Sequence, residues 1–311
     1  MTLLESDAPD PAPLAAAKPA RDWATPLELL ALGAIWGGSF LCMRVAAPEF
    51  GPLALVEVRL LLGTVILLPF LWRARVRITR AHWPRFALIG ALNSAIPFTL
   101  FAWGAQRAPA GIGAIANSMT VLFAALVAFV GFGERIGTRR AIALITGFIG
   151  VVILASGRTA GANVTGAALA GTAASLCYGM AVNLTRHWLA DLPPVVAVAG
   201  TLTCGTLIAL PLAIFAWPSA PVTTASWLAA GVLGIVCTGV AYVLFFRLIQ
   251  RIGAPRATTS TYLVPIFGVA WAWLLLGERP TWTMVASAAL ILGSVILSQR
   301  ENVTARGRGD K

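Results

Sequence analysis

Residues 109–135 read PAGIGAIANSMTVLFAALVAFVGFGER, and residues 253–279 read GAPRATTSTYLVPIFGVAWAWLLLGER. Each is an apolar run of about 20 residues, the length a helix needs to cross the hydrocarbon core of a bilayer. Each ends on Gly-Glu-Arg, at 133–135 and at 277–279. The two are offset by 144 residues, and the match extends without a gap, aligning 83–156 with 227–300. Trp83 meets Trp227, Gly90 meets Gly234, Leu100-Phe101 meets Leu244-Phe245, Gln106-Arg107 meets Gln250-Arg251, and Phe123 meets Phe267. Apolar helices resemble one another by composition alone, so the polar tokens Gln-Arg and Gly-Glu-Arg carry the repeat. Nearer the start the offset becomes 142: Trp36-Gly37 and Arg44 meet Tyr178-Gly179 and Arg186.

Runs of spanning length continue on either side. Ten are expected, at 27–47, 53–72, 84–105, 109–131, 139–157, 164–186, 195–216, 227–248, 255–276 and 281–298. Composition agrees. Of 311 residues, 58% are hydrophobic and 11% charged, and mean hydropathy is +0.83; a soluble domain carries about 25% charge to cover its surface. The fold class expected is all-α integral membrane, with ten transmembrane helices as two inverted five-helix repeats around a central cavity. The units are a cytosolic disordered tail at 1–26, repeats at 27–157 and 164–298, and a basic cytosolic tail at 299–311. Five is odd, so the second half enters the bilayer from the opposite side. Such inverted repeats let one bundle rock against the other around a midplane site.

The net charge of +11 comes from single arginines and short clusters between apolar runs. With the amino terminus inside, eighteen of the 23 basic residues fall on the cytosolic side, so both termini are expected there. No basic stripe interleaved with aromatics suggests a nucleic-acid partner. Cys42, Cys177, Cys204 and Cys237 lie inside apolar runs with no Cys-x-x-Cys pair, which argues against a metal and for small packed residues. The first 26 residues lack the order of a signal peptide, so the first span is expected to be retained. The spans hold neither a metalloprotease motif nor a phosphate-binding loop, and neither an enzyme nor a cofactor is expected.

In order along both halves, the landmarks resemble the EamA-type transporters of the drug/metabolite transporter superfamily. They are Trp36-Gly37-Gly38-Ser39-Phe40, Arg44, Pro52, Arg59, the segment from Ala114 to Phe123, Tyr262 to Phe267, and the two Gly-Glu-Arg tokens. The resemblance implies a bacterial inner-membrane protein whose cavity is lined mainly by helices other than the fifth and tenth. It implies a secondary transporter, expected to export small metabolites such as amino acids or drug-like organic solutes by alternating access. The alternative is a channel-like facilitator or a non-transporting membrane scaffold. Its partners would be a solute and the lipid bilayer, with proton coupling open and the oligomeric state unspecified. One departure stands out: Val121 replaces the counterpart of Pro265, so a proline kink is expected only in the ninth helix.

Charges within a span are costly and mark function by default. Arg59 could hold a substrate carboxylate through paired donors, or tie helices together. Glu57, about 200° away around the helix, is a weaker candidate for proton coupling, expected near the interface in a solvated position. Trp36, Ser39, Asn93, Phe98, Asn117, Tyr178, Asn183, Tyr242, Thr261 and Tyr262 are cavity candidates, because several occupy matching positions in the two halves; helix packing is the alternative for each. Trp103, Trp271 and Trp273 could form an aromatic wall. Glu134 and Glu278 are expected to begin helices and cap their free amides.

Overall fold

The computed structural model describes residues 24–306; expectations for 1–23 and 307–311 lie outside the described residues. Among these the chain is helical throughout, without a strand. The helices are α1 (Ala24–Arg73), α2 (His82–Ala105), α3 (Ala110–Phe132), α4 (Thr138–Ala155), α5 (Val164–Trp188), α6 (Pro194–Phe215), α7 (Thr224–Ile252), α8 (Thr258–Leu276) and α9 (Trp282–Arg306). The first eight are long and apolar enough to cross a membrane. Helix α1 starts at Ala24, inside the segment expected as a tail, and α9 continues past 298 to Arg306.

The first two expected spans join in α1, which is 50 residues long. Within it Gly51 leaves the helical region at φ 73°, ψ 162°. A positive φ costs glycine little, and the following Pro52 disfavours helical geometry at residue 51. The carboxylate of Glu49 fastens this corner by accepting the Thr223 backbone N–H at 2.7 Å, just ahead of α7.

Contacts between the two halves are reciprocal. A Cβ on Gly37 would meet Phe267 and the Gly268 backbone; one on Gly179 would meet Phe123 and the Ala124 backbone. Gly90 lies against the Thr201 carbonyl, and Gly234 against the Arg59 carbonyl. Each pair of contacts repeats the other under the offsets of 142 and 144. Where α1 meets α6, Thr64 and Thr206 are each other's counterparts, and their hydroxyls bond at 2.8 Å.

Both halves also depart from regular helix at matching places. A π-helical segment runs over Ala91–Ala95 in α2 and over Ile235–Val240 in α7. In α3 the helix tightens after Asn117, where Ser118 and Met119 donate to carbonyls three residues back. In α8 the equivalent stretch, Thr258–Leu263, is a 3₁₀ helix. The expectation of a kink confined to the half with Pro265 is thus corrected. Pro265 sits in the first turn of the α-helical part of α8, and α3 is interrupted at the same level with Val121 there. Irregular backbone at membrane depth is tolerated where it lines a cavity, and these interruptions do so.

Helices α3 and α8 each end on a left-handed glycine, Gly133 at φ 69° and Gly277 at φ 68°. The next N–H closes back over the turn, Glu134 to Ala128 and Glu278 to Ala272, both at 3.1 Å. Glu134 and Glu278 therefore follow helix ends, and the expectation that they begin helices is corrected: glycine at C′ stops the helix first.

Candidate functional site

A cavity of about 300 Å³ lies between α1, α2, α3, α5, α7 and α8. Helices α4 and α9, matching the fifth and tenth expected spans, contribute nothing to its lining and pack against each other, with Gly150 receiving Ile291. Ten of the eleven cavity candidates line it: Trp36, Ser39, Arg59, Asn93, Phe98, Asn117, Tyr178, Tyr242, Thr261 and Tyr262. The helix interruptions bring several together, because Asn93 and Cys237 lie in the two π segments while Asn117 and Thr261 lie at the two tightened turns.

Asn183 is the exception. Its amide donates to the Ala124 and Gly179 carbonyls, both at 2.9 Å, so it ties α5 to α3. The tryptophan wall is not formed either. Trp271 donates its indole N–H to the Ala34 carbonyl at 3.0 Å, Trp103 lies under Arg107 at 4.1 Å, and Trp273 is exposed.

Arg59 is 6% exposed. Its Nε donates to Thr238 Oγ1 at 3.0 Å, and that hydroxyl, in the π segment, donates onward to the Leu233 carbonyl five residues back at 2.9 Å. The committed proton turns a lone pair toward the guanidinium. Phe98 covers one face, its ring centroid 3.4 Å from Cζ. Around them, Tyr178 stacks on Phe101 at 6.1 Å and Trp36 meets Phe245 edge-on at 5.3 Å.

Glu57 corrects the reading of a solvated carboxylate. It is 5% exposed, neither oxygen has a hydrogen-bond partner among the described residues, and it does not line the cavity. Packing of α1 against α6 and α7 encloses a level that span counting places near the interface.

The cavity also has residues that the sequence reading missed, including Met43, Ser118, Thr120, Cys237 and Thr258. A signal for two was available. Cys237 is the 144-offset counterpart of Asn93, and Ser118 that of Tyr262.

The ends of the cavity differ. Phe40 and Phe101, edge to face at 5.3 Å, line both the cavity and a gap of about 10 Å³ beside Ala105 and Ala110. Beyond them Arg44 Nε meets Glu278 Oε1 at 2.8 Å, and Arg44 Nη1 meets the Ala105 carbonyl at 2.8 Å. The other oxygen of Glu278 accepts the Ala110 N–H at 2.9 Å, capping α3 from just beyond the end of α8. At the opposite end the counterparts Arg186 and Glu134 pair at 2.9 Å. The two lining residues exposed there are Val182 and Thr258, whose counterparts Phe40 and Ala114 are buried.

Comparison with known proteins fits this arrangement. The EamA-like transporter family matches over residues 26–156 and 165–299, once for each repeat. The chain belongs to the EamA-like transporter family. It is 28% identical over 278 residues to a probable terminal-alkyne amino-acid exporter of Streptantibioticus cattleyicolor, spanning 87% of this chain and 92% of that one. It is 26% identical to the uncharacterized inner membrane transporter YedA of Escherichia coli K12, over 86% of this chain and 88% of YedA. Identity to the uncharacterized transporter YoaV of Bacillus subtilis is 22%, over 88% and 95%. A crystal structure of a protein 17% identical superposes with a TM-score of 0.60, covering 88% of this chain and 96% of that one; it bears on the fold alone. The family is one of transporters of the drug/metabolite transporter superfamily, and this member is a multi-pass membrane protein.

Proposed function

We propose that the protein is a secondary carrier that exports a small organic solute by alternating access, with the structure in a state open toward the cytosol. In this reading α1 crosses twice, on either side of Gly51, and α9 is the tenth crossing. The halves 27–157 and 164–298 then thread in opposite senses, with both termini cytosolic as the basic residues favour. One observation carries the reading. Chemically equivalent Arg–Glu pairs flank a single cavity, yet Arg44–Glu278 is locked into backbone at one end, while at the other Arg186 lies largely exposed beside a half-buried Glu134. Exchanging those two arrangements would close one end and open the other.

The name of the Streptantibioticus relative, a probable amino-acid exporter, supports export of a small solute that carries a carboxylate. The buried, unpartnered carboxylate of Glu57 supports proton coupling, since a proton removes the cost of holding it there. Reconstituted vesicles test the reading with a panel of amino acids and their toxic analogues. Flux should saturate with solute, Glu57→Gln should flatten its dependence on a pH gradient, and Arg107→Cys and Arg251→Cys should react with impermeant reagent from opposite sides. Unsaturable flux would favour a facilitator, and labelling from one side would end the inverted arrangement.

A further inference from the structure

The repeat is broken at one point that matters chemically. Nearly every cavity side chain has a neutral partner in the other half: Trp36 with Tyr178, Asn93 with Cys237, Phe98 with Tyr242, Asn117 with Thr261. Arg59 instead has Thr201 as its counterpart and is the one lining residue with a formal charge. No described carboxylate stands within ion-pair distance, and Glu57 is on another side of α1. Of the five N–H groups of a guanidinium, the one at Nε has an oxygen acceptor. Nη1 also reaches the Met43 sulfur, a weak acceptor, at 3.9 Å.

A buried cation without an anion is expensive, and breaking such a pair leaves most of that cost behind. The arginine is also fixed before any ligand arrives, by Thr238 on its edge and Phe98 on its face. What remains is a pair of terminal nitrogens whose spacing matches a carboxylate, inside a cavity otherwise walled by aromatic rings, aliphatic groups and neutral polar side chains. We propose that this site selects an organic monoanion, a carboxylate on a flat or aliphatic apolar body, over the corresponding zwitterion or neutral molecule. This rests on the carrier reading above. An ammonium on the solute would face Arg59 with no acid on the walls to neutralise it; only neutral acceptors such as the Asn93 and Asn117 amides, and ring faces, are there to receive it.

Binding to the full-length protein in detergent micelles, measured by calorimetry, tests the selection with three probes of one shape: hydrocinnamate, phenylalanine and hydrocinnamyl alcohol. Hydrocinnamate should bind at least about tenfold more tightly than the other two, the margin of one charge-assisted pair. Arg59→Gln should erase that margin, and Arg59→Lys should keep part of it, since a point charge lacks the fork. Equal binding of the three by the native protein overturns the proposal, as does binding of none, and both results stand even if the variants do not fold. A margin that survives in folded Arg59→Gln overturns it too. Vesicle flux separates the two readings: the ranking without saturable flux leaves the anion site and removes the carrier. Saturable flux of a zwitterion, indifferent to Arg59, does the reverse.

Discussion

At one end of the cavity Arg44 reaches Glu278 and the Ala105 carbonyl, and Glu278 reaches on to the first amide of α3. At the other, Arg186 meets Glu134 and is 65% exposed at its side chain. The residue types and chain positions are the same, and so are the glycine-terminated helices that present the glutamates. The difference lies in the exposure of the two arginines and in the second oxygen of Glu278. Where it accepts a helix amide, the ion pair joins three helices and keeps water from the rings of Phe40 and Phe101. Where the arginine lies open to water, the pair is a surface contact, weakened by solvent and salt. Equal chemistry in unequal settings is what a repeat protein needs if its two ends are to take turns.

The sharpest way to break that comparison is to remove each glutamate in turn. Glu278→Ala strips a half-buried arginine of its partner and α3 of its cap, and should cost about 2 kcal/mol of stability. Glu134→Ala should cost under about 0.5 kcal/mol, because an exposed pair holds little. Reversible unfolding in mixed micelles measures both. Equal losses would mean that the two ends are held alike, and that the inequality between them has no energetic content.

The aromatic plug sharpens the same comparison. Phe40 is 6% exposed, whereas its counterpart Val182 is 50% exposed, although both line the cavity. Phe40→Val gives the closed end the side chain of the open one. It should lose about 1–2 kcal/mol, as a large-to-small change in a packed site does. A cysteine introduced in that background by Gly104→Cys should then react faster with a water-soluble thiol reagent. Unchanged reactivity would show that Arg44 and Glu278 seal this end without the ring.

Much of this architecture is legible in the chain because it is written in apolar length and polar punctuation. The Gly-Glu-Arg tokens locate two helix ends, and the arginine within a span together with polar and aromatic side chains, several at matched positions, locate ten cavity residues. What stays hidden depends on packing. Glu57 reads as interfacial by its distance from Pro52, yet neighbouring helices enclose it. Asn183 reads as a cavity amide by type, yet one helical turn decides that it faces α3. The π segments leave no local trace, since Ala91–Ala95 and Ile235–Val240 share only the offset. Glu278 reads as a cap for the helix after it and caps α3 instead, a contact 168 residues away in sequence.

The smallest expected effect lies near the more exposed end, where His82 is 4% exposed and meets Asp191 between α5 and α6. The Thr79 backbone N–H donates to His82 Nδ1 at 3.0 Å, so that nitrogen accepts and the proton sits on Nε2, which donates to Asp191 Oδ2 at 3.0 Å. This bond, helped by the charge of Arg85, holds the Asp191 carboxyl below its ordinary value of 3.8. A carboxyl depressed on folding stabilises the native state above its unfolded pKa, and the contribution is lost as pH falls through the folded value. Melting temperatures of the wild type and of Asp191→Asn should therefore run parallel at neutral pH and differ in slope below about pH 4, the wild type falling more steeply. Because the carboxylate is solvent-exposed, the divergence should be small beside the Glu278 effect. Its absence would mean that the contact ties the loop without sensing protons, and parallel slopes down to the acid limit are the result that would show it.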